Sequence, residues 1–192
     1  RRTLEIDAAT RRSLELTQTI RSASRSGSLL DVMDHSVTPM GSRRLGEWLM
    51  SPLIDRRQIE SRHAAVNELV QERRLRESLR EALADVYDLG RLLARVATQR
   101  CGPRDLQQVG KTLGQLPKIK ALLELRSSDR LQQLHSRIEL LPDLRGRLDA
   151  ALCDECPLLM REGNFIRSGY SSQLDELHAL AGGGKEWIAR YQ

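Results

Sequence analysis

Apolar residues recur every three or four positions along most of this sequence, and this spacing restricts the chain to a helical fold. The clearest run follows Gly102-Pro103 and comprises Leu106, Val109, Leu113, Leu116, Ile119, Leu122 and Leu123. Positions three and four apart share one face of an α-helix, so the run predicts a long helix with a buried stripe. Leu, Ala and Arg dominate the composition and aromatic residues make up only 3%, which favours helices over strands. We therefore predict a mainly α fold of several helices, some of them long.

Local start signals divide the chain into separate helices. Thr38 can cap a helix that has Pro39 at its first position, where the missing proline N–H costs nothing. Gly41 falls on the apolar face of this helix, and its small size would allow a second backbone to approach closely. Asp55, followed three residues later by Gln58, predicts the start of the next helix.

Three segments depart from this regular pattern. Pro117 removes the hydrogen bond to the Leu113 carbonyl inside the long pattern, so we expect a kink or a break there. Residues 163–170 form the best candidate for a short extended segment. After them a heptad seam runs to the end of the sequence through Leu174, Leu177, Ala181, Gly184, Ile188 and Tyr191. Because the seam has no stop signal, we interpret it as part of a longer helix, and we expect an exposed apolar patch that causes self-association or disorder near the C-terminus.

Bulk properties favour a globular protein in a reducing compartment. Hydrophobic residues are 40% and charged residues 30% of the 192 positions. We find neither an apolar run of membrane-spanning length nor a signal peptide, so we predict a cytoplasmic protein without membrane contact. The three cysteines are too few and odd in number for a disulfide framework. A net charge of +5 permits nucleic-acid contact without requiring it.

Candidate chemical motifs are weak. Cys153 and Cys156 have the spacing of a metal or redox pair, but a zinc site needs two more ligands, so we interpret them as small residues near a helix end. His63 lies on the apolar face of its helix, which predicts a packed histidine. Gly182-Gly183-Gly184-Lys185 lacks the upstream glycine and following Ser or Thr of a phosphate loop. We therefore assign no catalytic, cofactor-binding, metal-binding or DNA-binding residues.

The most basic segment is the Arg104–Arg126 helix, on which Lys111 and Lys118 are seven residues apart and share a polar face. This face could touch phosphates. A solvated outer face is the simpler interpretation, because few aromatic, Asn or Gln residues accompany it.

Several strings occur in the order that is found in one known family. They are Ile6 to Leu16, Gly27-Ser28-Leu29-Leu30, Thr38-Pro39-Met40-Gly41 with Trp48, Pro52 and Asp55, Asp88-Leu89, Pro103-Arg104-Asp105-Leu106, Leu116-Pro117, Gly169-Tyr170 and Leu174-Asp175-Glu176-Leu177. Together they resemble the core, or lever, domain of the bacterial DNA mismatch-repair MutS family, over nearly the whole chain. The resemblance implies a helical core domain over residues 1–170 and, over 171–192, the start of a lever helix that leads into a clamp domain.

The resemblance also implies a function. Family members are dimers that recognise mispaired DNA, bind and hydrolyse ATP with Mg²⁺, and recruit the partner MutL, and their core domain connects the DNA clamp to the ATPase. The family's chemical residues fall outside this sequence, so we expect no enzyme activity or cofactor in this chain itself. Two alternatives remain open, a stand-alone basic helical nucleic-acid-binding module and a protein-interaction scaffold.

Overall fold

Helices account for nearly all of the regular structure in this chain. The computed structural model describes the backbone of residues 3–189 and the side chains of residues 3–181. The helices are α1 (Ala8–Ser13), α2 (Leu29–Met33), α3 (Pro39–Met50), α4 (Arg56–Gln71), α5 (Arg73–Ala84), α6 (Leu89–Ala97), α7 (Pro103–Leu122), α8 (Asp129–Arg137), α9 (Pro142–Ala151) and α10 (Ser172–Ala189), with a 3₁₀ turn at Met160–Glu162. The predicted mainly α fold is therefore confirmed.

Side-chain caps start several helices where the sequence predicts them. The Thr38 hydroxyl accepts a hydrogen bond from the Gly41 N–H at 3.0 Å, and Pro39 occupies the first turn of α3. The Asp55 carboxylate accepts from the Gln58 N–H at 3.1 Å at the start of α4. Each cap satisfies a backbone donor that a helix end otherwise leaves without a partner.

The contacts around α3 correct the prediction for Gly41 and show how far this helix is buried. A Cβ added at Gly41 would lie 2.9 Å from the Thr38 hydroxyl and 3.4 Å from Ser36, so the glycine makes room for the cap rather than for a second helix. No residue of α3 is fully buried, and Trp48 remains 40% exposed. The apolar face of α3 is therefore half-buried.

Helix α7 runs through Pro117 without interruption over its 20 residues. Of the two expected outcomes at Pro117, the break is wrong, and the kink stays a prediction. The proline removes one backbone hydrogen bond, but Leu113 and Ile119, on either side of it, are 4% and 7% exposed. Burial of this stripe, which includes Val109 and Leu123, keeps the backbone helical because tertiary packing outweighs local propensity.

Two isolated antiparallel bridges are the only β-type pairings among residues 3–189. They join Thr3 to Leu53 and Leu152 to Ile166. The second lies in the predicted extended segment 163–170, where the Arg167 N–H also donates to the Ala151 carbonyl at 2.8 Å.

The chain divides into two compact units. The first comprises Arg1–Leu89 and Lys111–Leu140, and the second comprises Gly90–Gly110 and Leu141–Gln192. Helix α7 contributes residues to both, with the change between Gly110 and Lys111. The predicted domain boundary after residue 170 stays a prediction.

The core of the first unit forms where α4 packs against α5 and α8. Its buried residues are Ala65, Leu75, Leu79, Ala82, Ile119, Leu123 and Leu131. The buried face of α4 is rotated from the predicted one, since His63 is exposed and Val66 and Val70 are 58% and 56% exposed. The prediction of a packed His63 is therefore wrong, because the small Ala65 faces the core in its place.

In the second unit, α9 approaches α7 at Gly110, where an added Cβ would lie 3.5 Å from the Leu148 Cβ. Leu92, Leu152 and Cys156 are buried in this unit. On α10, Leu177 is 62% exposed and Leu180 is 74% exposed. Of the predicted exposed seam, Leu177 and Ala181 are exposed and Leu174 is half-buried, whereas Gly184, Ile188 and Tyr191 lie outside the described side chains. The predicted self-association or disorder stays a prediction. Within the part described, we find no helix that is long and apolar enough to cross a membrane.

Candidate functional site

A basic pocket lies between α4 and α8 in the first unit. Its volume is about 460 Å³. The residues that line it are Arg57, Gln58, Ser61, Arg62, Arg130, Gln133 and Arg137. Four of these seven are arginines and none is acidic, so the wall of this pocket carries positive charge and hydrogen-bond donors.

Two local features position the arginines. The Asp55 cap fixes the first turn of α4, from which Arg57 projects. Near the other end of α4, the Glu68 carboxylate accepts hydrogen bonds from the backbone N–H groups of Ser127 at 2.9 Å and Ser128 at 2.8 Å. Glu68 thereby ties α4 to the residues that lead into α8.

The same contacts change the acidity of Glu68. Burial raises the pKa of Glu68, but the two backbone hydrogen bonds from Ser127 and Ser128 outweigh burial and lower the pKa to about 2. The carboxylate is therefore charged at neutral pH and holds this junction as an acceptor of charge-assisted hydrogen bonds.

The arginines of the pocket lack carboxylate partners. Arg57, Arg62, Arg130 and Arg137 form no ion pair with any residue that the structure describes. The Arg62 guanidinium instead stacks on the Trp48 ring, 4.0 Å from its centroid. Burial lowers the pKa of Arg62, and repulsion from Arg130 and Arg44 lowers it further. Like charges thus face one another in this pocket.

In the predicted basic helix, by contrast with the pocket, most basic side chains contact other parts of the protein. The Arg104 guanidinium donates to the Cys156 carbonyl at 3.3 Å, Lys120 donates to the Ile138 carbonyl at 2.7 Å, and Arg126 lies 3.7 Å from Glu72. The remaining two basic side chains of this segment, Lys111 and Lys118, are exposed and make no such contact. Three of the five basic side chains of this segment therefore form contacts within the folded chain.

The sequence does contain a signal for the basic pocket. Arg130 and Arg137 are seven residues apart, so they fall on one face of α8. Arg57 and Arg62 belong to a helix some seventy positions earlier. Their approach depends on the packing of α4 against α8, which no local pattern specifies.

The cysteine pair is in contact within the second unit. Cys153 Sγ lies 3.7 Å from Cys156 Sγ, and Cys156 is 4% exposed. No group of three or more His, Cys, Asp or Glu side chains suited to a metal ion occurs within the described part of the chain. The Gln107 side chain donates to the Cys153 carbonyl at 3.0 Å, which fixes this loop against α7 within the second unit.

The glycine triplet lies within a helix. The backbone of residues 182–185 belongs to α10, whereas a phosphate loop precedes its helix.

The fold and the pocket together define a helical domain in which α7 contributes residues to both units and a basic pocket is lined without acidic residues. Residues 9–186 match the family described as MutS domain III. The DNA mismatch repair protein MutS of Rhodopirellula baltica is 57% identical over 98% of this chain. Those of Symbiobacterium thermophilum and Chlorobium chlorochromatii are 44% and 41% identical over 97% and 98% of it.

The chain therefore belongs to the MutS domain III family. It covers 21% of the length of the R. baltica and S. thermophilum proteins and 22% of the C. chlorochromatii protein. The resemblance found in the sequence strings is confirmed.

Proposed function

We propose that this chain is the helical connector, or lever, of a MutS-type DNA mismatch repair protein, and that it couples the grip on DNA to ATP binding and hydrolysis. The observation that carries the proposal is the continuity of α7, whose residues belong to both compact units. A helix of 20 residues is about 30 Å long. Such an element can transmit a displacement over that distance without being stretched.

The packing of α7 supports a stiff element. Val109, Leu113 and Ile119 are buried along it, and Thr112 is completely buried. The Thr112 hydroxyl accepts a hydrogen bond from the Tyr87 N–H at 3.0 Å. Close-packed interiors resist gradual deformation, so a force on such a helix favours a switch between discrete arrangements over local bending.

Membership of the family extends the proposal to the intact protein. We infer that the intact protein acts in the cytoplasm as a homodimer, recognises mispaired DNA, uses ATP with Mg²⁺ and works with MutL. The relatives are named as DNA mismatch repair proteins. In this proposal the ATP-hydrolysing residues lie outside this chain, so the purified chain should not hydrolyse ATP.

A substitution that creates a cavity against α7 tests the coupling between DNA and ATP hydrolysis. Leu113→Ala removes a side chain that is 4% exposed and should cost about 2–5 kcal/mol of stability. In an intact MutS protein with this domain, we expect basal ATP hydrolysis to persist while its response to DNA falls. Leu125, which is 93% exposed, provides the control variant Leu125→Ala, which should behave as the unmodified protein. A folded Leu113→Ala variant with an unchanged response to DNA would contradict the proposal.

A further inference from the structure

The α4–α8 pocket contains no residue of α7, the helix on which the proposed connector function rests. A connector needs buried apolar contacts, whereas this pocket gathers four arginines without any acidic side chain in its wall. Like charges at close range raise the free energy of the folded state. Arg62, which is half-buried against Trp48, adds a desolvation cost. The arginines therefore destabilise the folded state locally, and an anionic ligand would relieve this destabilisation.

The other lining residues add neutral donors. Gln58 and Gln133 carry side-chain amide N–H groups, and Ser61 carries a hydroxyl. The Gln58 amide lies 3.4 Å from the Asp55 carboxylate. The Gln133 and Ser61 side chains form no hydrogen bond with any residue in the described range. These groups provide donors beside the arginines.

Guanidinium groups select among anions by geometry. Each presents five N–H donors in a planar fork that matches two oxygens of a phosphate or a carboxylate. A phosphate group offers three or more acceptor oxygens around one centre, so it can engage several arginines at once. A single carboxylate has two oxygens and satisfies only one such fork.

We propose that the pocket of Arg57, Arg62, Arg130 and Arg137 binds a multiply charged phosphate group. A volume of about 460 Å³ admits a phosphate or pyrophosphate group. The group belongs either to a free polyphosphate or to the backbone of a nucleic acid. The site can be tested separately from the connector function, because neither its arginines nor its donors belong to α7.

Titration calorimetry of this chain with sodium pyrophosphate at low ionic strength tests the site. We expect saturable binding at one site, with affinity falling on the order of tenfold for Arg130→Gln and for Arg57→Gln, as about 1.4 kcal/mol per contact implies. Arg74→Gln removes the same charge from an exposed position on α5 outside the pocket and should leave the affinity nearly unchanged. Because Arg130 repels Arg62, thermal unfolding should show that Arg130→Gln is at least as stable as the unmodified chain.

The source of the phosphate is found by competition. Displacement of pyrophosphate by a short DNA duplex, weakened by Arg130→Gln, would assign the site to backbone phosphates, and failure to displace it would assign the site to a free polyphosphate. The proposal is overturned if pyrophosphate does not bind, or if Arg74→Gln weakens binding as much as Arg130→Gln does. It is also overturned if polyglutamate binds as tightly as pyrophosphate, since the site would then fit an acidic protein segment.

Discussion

Replacing Glu68 by glutamine should loosen the junction between α4 and α8 and remove a distinct dependence of stability on pH. The Glu68 carboxylate accepts one hydrogen bond from the Ser127 N–H and one from the Ser128 N–H. A glutamine has a single acceptor oxygen at this place, and its amide group would face the second N–H. One of the two donors, the N–H of the exposed Ser127 or that of the buried Ser128, would then lose its partner.

The magnitude follows from the acidity of the carboxyl group. Lowering the pKa of Glu68 from 4.5 to about 2 corresponds to at most about 3.4 kcal/mol at neutral pH. Solvent screens this half-buried group, so the expected contribution is about 1–2 kcal/mol. Because the pKa is lower in the folded state, the stabilisation is complete above pH 4.5 and is lost as the pH falls from 4.5 towards 2.

Urea unfolding at a series of pH values measures this effect. At pH 7, Glu68→Gln should lower the free energy of unfolding by about 1–2 kcal/mol, and the difference from the unmodified chain should shrink by more than half near pH 3. The matched control is Glu60→Gln on the same helix, whose partner Arg56 lies 2.7 Å away in an exposed pair; it should change stability by less than about 0.5 kcal/mol. Equal losses at pH 7 and pH 3 for Glu68→Gln would refute the reasoning.

Two further predictions concern helix ends and glycines. Thr38→Ala should lower the free energy of unfolding by about 1 kcal/mol because the Gly41 N–H loses its cap, whereas Thr38→Ser should retain most of it; equal losses in urea unfolding would contradict the cap. Gly102→Ala places a Cβ 2.6 Å from the Leu158 carbonyl oxygen and should lower the free energy of unfolding by about 1–3 kcal/mol. A Cβ at Gly146 has nothing within 4 Å, so Gly146→Ala should raise the free energy of unfolding, by at most about 1 kcal/mol. Thermal unfolding of the two alanine variants compares them directly, and a stable Gly102→Ala variant would count against the close contact.

Features that depend on neighbouring residues could be predicted from the sequence. The starts of α3 and α4 follow from Thr38-Pro39 and Asp55, since a cap needs only a side chain and an N–H three positions away. The buried stripe of α7 follows from leucine spacing alone, because the same face recurs every three or four residues. The family resemblance also rests on such local strings.

Features that depend on packing were missed or mistaken. The local rule for proline predicts a break at Pro117, yet burial of Leu113 and Ile119 keeps α7 continuous. The apolar pattern of α4 includes His63, whereas the core accepts the smaller Ala65. The arginine pocket joins residues of α4 and α8 that are far apart in sequence, so only the tertiary arrangement reveals it.

The central claim is that a rigid, continuous α7 couples DNA to ATP hydrolysis, and Lys111→Pro in an intact MutS protein with this domain tests it most directly. Lys111 is exposed, so Lys111→Ala preserves the helix, whereas proline removes the hydrogen bond to the Gln107 carbonyl at a cost of about 3 kcal/mol. The measurement is the change in ATP hydrolysis rate when mismatched duplex DNA is added. We predict that Lys111→Pro retains basal hydrolysis and loses most of the response to DNA, while Lys111→Ala retains both. A folded Lys111→Pro protein with an undiminished response to DNA would contradict the account.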